Sequence, residues 1–95
     1  MWKQVKGLNK NQEIIISGVV KDINGITLPG ASIVEKDTSN GTQSDFDGRF
    51  SLQVKNNNSI LVISYLGFKT REINIDNQTD ITIVLKEDAS ALDEI

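Results

Sequence analysis

The 95-residue chain contains no cysteine and no histidine. Without them there is no thiol nucleophile, no zinc site of the usual kind, no histidine-based triad and no imidazole base. The missing cysteine leaves the compartment open, because disulfides are optional in a periplasm and rare in a cytosol. Aromatic residues make up only 5% and there is a single proline. The core must then be built from Ile, Leu and Val, and the β-branched pair among them favours strands. Positive charge is also short: ten basic residues against thirteen acidic give a net charge of −3. They are scattered rather than clustered, which argues against a nucleic-acid-binding surface. The longest apolar runs, 14–16 and 60–63, fall far short of the ~20 residues of a membrane helix. Residues 1–6 lack the apolar segment of a signal peptide, so taken alone the sequence leans to the cytosol.

Turn signals are abundant instead. Asn40-Gly41 and Asp47-Gly48 flank a short polar stretch, and both pairs tolerate the positive φ that tight turns need. Asp22-Ile-Asn-Gly25, Leu28-Pro-Gly30, the polar loop 56–59 and Asp76-Asn-Gln-Thr79 add further breaks. Between them lie seven segments that read as strands: 13–21, 31–36, 41–44, 49–55, 60–66, 68–75 and 80–86. Alternation assigns Ile14, Ile16, Gly18 and Val20 to one face of the first, and Ala31, Ile33 and Glu35 to one face of the second. It places Phe50, Leu52 and Val54 inward on the fourth, and Ile81, Ile83 and Leu85 inward on the last. Segment 60–66 is nearly continuously apolar and is expected to be buried on both faces. Phe68, Ile73 and Ile75 are the expected apolar contacts of the sixth. The polar segment 41–44 suits a sheet edge. Seven short strands with turns every ~8–12 residues predict an all-β, seven-stranded sandwich. An apolar fraction of 38% suffices for one core and one domain. The expected organisation is a flexible leader 1–12, a sandwich 13–86 and an acidic linker 87–95, with a short helical turn over 90–95 capped by Ser90.

Few residues suggest chemistry. Asp45 and Asp47, followed by Gly48, match the start of an EF-hand loop and form a weak calcium candidate. The later ligand positions are missing, and aspartates entering a turn more often cap backbone amides. Asp22, Asp76 and Asp80 sit at turns or strand ends, where solvated carboxylates are normal. Ser17, Ser32, Ser44 and Ser64 have no base to activate them. Tyr65-Leu66-Gly67-Phe68 is the best candidate contact surface, with an aromatic pair around a bend at Gly67. The competing reading, preferred on burial statistics, puts both rings in the core. Segment 41–44 offers an edge open to β-augmentation, although its polar side chains suit plain solubility.

Six motifs occur in order: Ile16-Ser-Gly-Val-Val-Lys-Asp22, Asn24-Gly25, Leu28-Pro-Gly-Ala-Ser-Ile33, Asn40-Gly-Thr42, Asp45-Phe-Asp-Gly-Arg-Phe50 and Ile63-Ser-Tyr-Leu-Gly-Phe68. Together they resemble the carboxypeptidase-regulatory-like domain at the N-terminus of SusC/RagA-type TonB-dependent outer-membrane transporters of Bacteroidetes. The resemblance covers about residues 13–86, and any one motif alone is weak. It implies an immunoglobulin-like, transthyretin (prealbumin)-like sandwich. The ending Leu92-Asp93-Glu94-Ile95 is similar to the segment that leads toward the TonB box and plug of such transporters. The family usually carries an apolar residue or Glu at the position of Glu35, and commonly Gly at that of Asp37, so Asp37 alters a local turn.

The resemblance implies a non-catalytic domain without a cofactor, on the periplasmic face of the outer membrane. It would be linked to the membrane only through a barrel absent from this chain. Partners would be TonB or other uptake proteins, met through Tyr65, Gly67, Phe68 and residues 92–95, and the isolated domain is expected to be monomeric. The alternatives are an adhesion or carbohydrate-binding sandwich, which would need exposed aromatics where only Trp2 and Tyr65 are available, and an accessory domain of a carboxypeptidase.

Overall fold

A computed structural model describes residues 14–88. The expected leader, the helical turn over 90–95 and the site residues Leu92, Asp93, Glu94 and Ile95 lie outside them. Seven strands follow in order: β1 (Ile14–Asp22), β2 (Ser32–Glu35), β3 (Gly41–Gln43), β4 (Arg49–Val54), β5 (Ile60–Ser64), β6 (Arg71–Asn74) and β7 (Asp80–Leu85). They form two sheets, ordered β4-β1-β7 and β3-β2-β5-β6. β1 pairs antiparallel with β4 and parallel with β7. All pairings in the second sheet are antiparallel. The described residues therefore form an all-β sandwich of seven strands.

Alternation decides which residues meet between the sheets. Ile16, Val20, Phe50, Leu52, Val54, Ile81, Ile83 and Leu85 come from the first sheet, and Ile33, Leu61 and Ile63 from the second. Leu28, Ala31 and Ile75 close the core from the connections. Each fully buried side chain of this size is worth about 1.5–3 kcal/mol of transfer free energy. Gly18 points inward opposite Phe50, and a Cβ there would strike the Phe50 ring at 2.8 Å. The ring thus lies where a side chain at position 18 would otherwise stand.

Two expectations change. Segment 60–66 is not buried on both faces. β5 ends at Ser64, only Leu61 and Ile63 are fully inside, and Leu66 is 96% exposed. The second sheet has a partner layer on one face alone, so its outer face keeps Ile60 and Val62 half-buried. The sixth strand begins at Arg71 rather than at residue 68. Phe68 instead forms an isolated bridge with Glu87, because the preceding turn points the chain toward the end of β7. β3 does sit at the edge of its sheet.

Each end of the core is closed by a buried polar side chain. Glu35 is 6% exposed and Ser44 likewise 6%. The Ser44 hydroxyl accepts from Ala31 N at 2.8 Å and donates to Leu28 O at 2.6 Å. It thereby bridges the Pro29-Gly30 turn, where φ is 83° at Gly30.

Candidate interaction surface

The segment Tyr65-Leu66-Gly67-Phe68 forms a turn. Phe68 N donates to Tyr65 O at 3.0 Å, and Gly67 has φ of 89°. Positive φ at the third residue with a negative value before it is the type II pattern, which asks for Gly at this position. A Cβ on Gly67 would meet nothing within 4 Å, so the glycine serves the bend and not a close approach. Tyr65 and Phe68 are half-buried and pack against the core, their ring centroids 5.5 Å apart and tilted by 56°. That spacing and tilt suit the ring quadrupoles. The aromatic pair anchors the turn, and the side chain it presents to solvent is Leu66.

Asp45 caps the turn that carries the chain from β3 in one sheet to β4 in the other. Its Oδ1 accepts from Asp47 N and Arg49 N, both at 2.9 Å. Gly48 N donates to Asp45 O at 2.9 Å, Asp45 N donates to Arg49 O at 2.8 Å, and Gly48 has φ of 77°. A type I turn followed by a left-handed residue is the three-residue loop common in hairpins, used here to cross between the sheets. Phe46 stands at its tip, 94% exposed. The calcium candidate thus has one oxygen of Asp45 committed to two backbone amides. Among the described residues no three His, Cys, Asp or Glu side chains gather where they could hold a metal ion.

The same loop is built a second time. Asp22 Oδ1 accepts from Asn24 N at 2.8 Å and Ile26 N at 3.0 Å. Gly25 N donates to Asp22 O at 3.0 Å, Asp22 N donates to Ile26 O at 2.9 Å, and Gly25 has φ of 85°. Ile23 occupies the position of Phe46 and is 67% exposed. Reading the sequence for alternating strands missed Phe46 and Ile23 as surface residues, and reached Leu66 only as part of the candidate contact segment 65–68. A usable signal is present: an apolar residue second in an Asp-x-(Asn/Asp)-Gly frame sits at the tip of a tight loop and is exposed.

The strongest electrostatic feature lies elsewhere. Glu35 Oε1 accepts from Asn40 Nδ2 at 3.0 Å, and Oε2 accepts from Ser59 Oγ at 2.8 Å and Lys55 N at 3.3 Å. Burial pushes the carboxyl upward, but the bonds from Asn40, Ser59 and Lys55 N and the Lys55 charge prevail, and its pKa lies below the ordinary 4.5. An ionised carboxylate fully occupied by donors points to structure rather than acid–base work. The Lys36–Glu72 pair at 3.1 Å is exposed on both sides and adds little. The Asn40 amide donates to Gln53 O at 2.6 Å as well as to Glu35.

Three comparisons bear on identity. The family model for the CarboxypepD_reg-like domain matches residues 16–95. The chain is 46% identical over 87 residues to TonB-dependent receptor P3 of Formosa agariphila, covering 90% of this chain and 9% of that protein. It is 39% identical over 84 residues to TonB-dependent receptor SusC of Bacteroides thetaiotaomicron, covering 88% of this chain and 8% of that protein. The chain therefore spans under a tenth of these curated relatives. In fold, it is similar to a chain of a type II cohesin–X-dockerin complex from Acetivibrio cellulolyticus, with TM-score 0.61 and 18% identity over 76% of this chain and 56% of that one. It is also similar to 3-chlorocatechol 1,2-dioxygenase from Rhodococcus opacus, with TM-score 0.58 and 12% identity over 81% of this chain and 61% of that one.

Proposed function

The chain belongs to the CarboxypepD_reg-like domain family, and from that premise we propose that it is a non-catalytic accessory domain of a TonB-dependent outer-membrane nutrient transporter. The observation that carries this reading is the pattern of coverage. About nine-tenths of this chain matches receptors of which it is only 8–9%. The domain stands on the periplasmic face of the outer membrane. Residues 1–12 lead into it, 13–86 form the sandwich, and 87–95 link it to the plug and barrel. Its work is recognition: it modulates coupling to TonB or docks a partner during uptake.

The absence of histidine and cysteine supports a non-catalytic role, since most nucleophile and base arrangements need one of them. A sugar-binding sandwich would present aromatic faces on a sheet. Tyr65 is instead half-buried against Phe68, which favours the transporter reading.

The test has two arms. The coding sequence beyond residue 95 is expected to continue into a TonB box, plug and barrel; its absence would overturn the reading. A titration of the 15N-labelled domain with the periplasmic C-terminal domain of TonB then asks about coupling. Shifts in residues 87–95 or 65–68 support modulation of TonB, and a spectrum without shifts leaves the docking of another partner.

A further inference from the structure

The two ends of the sandwich differ sharply in character. Pairing registers fix which loops share an end. Val19 lies opposite Arg49 and Asp22 beside Leu85, so the 22–26 and 45–49 loops and the exit of β7 are together. Val20 N donates to Gly48 O, and Leu28 N donates to Val20 O. Ser32 pairs with Ser64, and Gly30 N donates to Ser44 O, which brings the 65–68 turn to the same end. Ile23, Ile26, Phe46 and Leu66 are 67%, 62%, 94% and 96% exposed there. The loops at the opposite end comprise 36–40, 55–59 and 76–79, and none of them holds an apolar residue. Of the large hydrophobic residues that are exposed among those described, only Ile15 lies away from the apolar end.

Chance solvent exposure would scatter such residues. Here Ile23, Phe46 and Leu66 stand at the tips of three turns whose backbones are fixed by Asp caps or by Gly at positive φ. Rigid turns hold their tips with little conformational entropy left to lose, as a binding face requires. The chain also leaves from this end. Asp88 N donates to Gly67 O at 2.9 Å, and Lys69 N donates to Lys86 O at 2.9 Å. The exit is therefore pinned to the turn that carries Leu66.

We propose that the loop end bearing Ile23, Phe46 and Leu66 is a docking face for the receptor polypeptide that continues past residue 95. This rests on the transporter reading above. The matched stretch is 8–9% of each relative, so a large body of protein would share the tether. Attachment within one chain makes the docking intramolecular, so a modest face can be occupied without a high concentration of free partner. Three apolar anchors then suffice for a docked state that opens and closes readily. The partner surface is apolar and pocketed, since isolated tips on separate turns bury poorly against a flat polar one.

The absence of native cysteine allows the test. Single thiols are placed by Leu66→Cys, Phe46→Cys and, as a control at the polar end, Asn57→Cys. Maleimide labelling is timed in the 95-residue chain and in the full receptor with its other cysteines removed. The expected result is slowing of tenfold or more at positions 66 and 46 in the receptor, with position 57 unchanged. Equal rates at all three positions overturn the proposal. So does protection already present in the isolated chain at high concentration, which would indicate a second copy. Protection of the isolated chain on adding phosphatidylethanolamine/phosphatidylglycerol vesicles would indicate lipid and also overturns it. If no receptor sequence follows residue 95, the transporter reading and this inference fall together; if one follows and labelling is unchanged, the docking face alone falls.

Discussion

The Ser59 hydroxyl donates to Glu35 Oε2 at 2.8 Å, with both residues buried, and so joins β2 to the loop that precedes β5. Lys55 N, at the end of β4 in the other sheet, donates to the same oxygen. Asn40, from the loop between β2 and β3, donates to the other oxygen and also to Gln53 O. One carboxylate thus fastens both sheets at the polar end of the core. Glu35→Ala leaves three donors without their acceptor. The expected loss is about 2–4 kcal/mol, given the cost of stranding partners of a buried charge. Glu35→Gln also destabilises, because its amide NH2 must face a donor on one side or the other. Urea denaturation measures both.

The same network sets a pH dependence. The folded pKa of Glu35 lies below 4.5. Fewer protons are bound by the folded state than by the unfolded one, so stability rises with pH across this window. The contribution is complete above pH 4.5 and is lost as pH falls through the folded value. The stability gap between the parent chain and Glu35→Gln should therefore be constant from pH 7 to pH 5 and narrow below 4.5. A gap that stays constant into more acid solution would remove the carboxylate from this role.

Ser44→Ala tests the other end. The hydroxyl stands between Ala31 N and Leu28 O, so its loss strands a donor and an acceptor at once. About 2–3 kcal/mol is expected to be lost, as for two buried backbone groups left unpaired. Hydrogen exchange should quicken first at Ala31, the amide that the Ser44 hydroxyl holds.

Strand number and most facings were legible in the sequence, because alternation is imposed by a single core with one partner layer per sheet. Phe50, Leu52 and Val54 are the plainest case, buried at every second position of β4. The reading failed where a turn overrides the apolar pattern. Ile60, Leu61, Val62 and Ile63 run on to Leu66, but Gly67 bends the chain and throws Leu66 outward. The roles of Glu35 and Ser44 were illegible for another reason. Their partners lie 5 to 24 and 13 to 16 positions away, and only the folded loops bring them together.

Asp37 has φ of 67°, third in a turn closed by Thr38 N donating to Glu35 O at 3.1 Å. Glycine adopts this conformation without the cost borne by a Cβ. Asp37→Gly is expected to leave the fold unchanged and to stabilise by up to about 1 kcal/mol, the gain being trimmed by the greater freedom of glycine when unfolded. A rise of a few degrees in Tm would agree, whereas a drop would show that the Asp side chain contributes more than its backbone strain costs.

Gly25 and Gly48 occupy equivalent places in two copies of one loop, with φ of 85° and 77°. Their surroundings differ. A Cβ on Gly25 meets nothing within 4 Å, while one on Gly48 meets Thr27 Cβ and Val20 O at 2.8 Å each, and Leu28 N at 3.2 Å. Gly25→Ala should then cost only the left-handed strain, about 1 kcal/mol. Gly48→Ala carries the same strain and must also push apart β1 and the 27–28 segment, so a loss of about 3 kcal/mol or more is expected. Because Val20 and Leu28 are core residues, the second variant should also perturb their methyl resonances, and the first should not. Equal losses for the two would show that φ alone fixes these glycines and that the close approach at Gly48 relaxes freely.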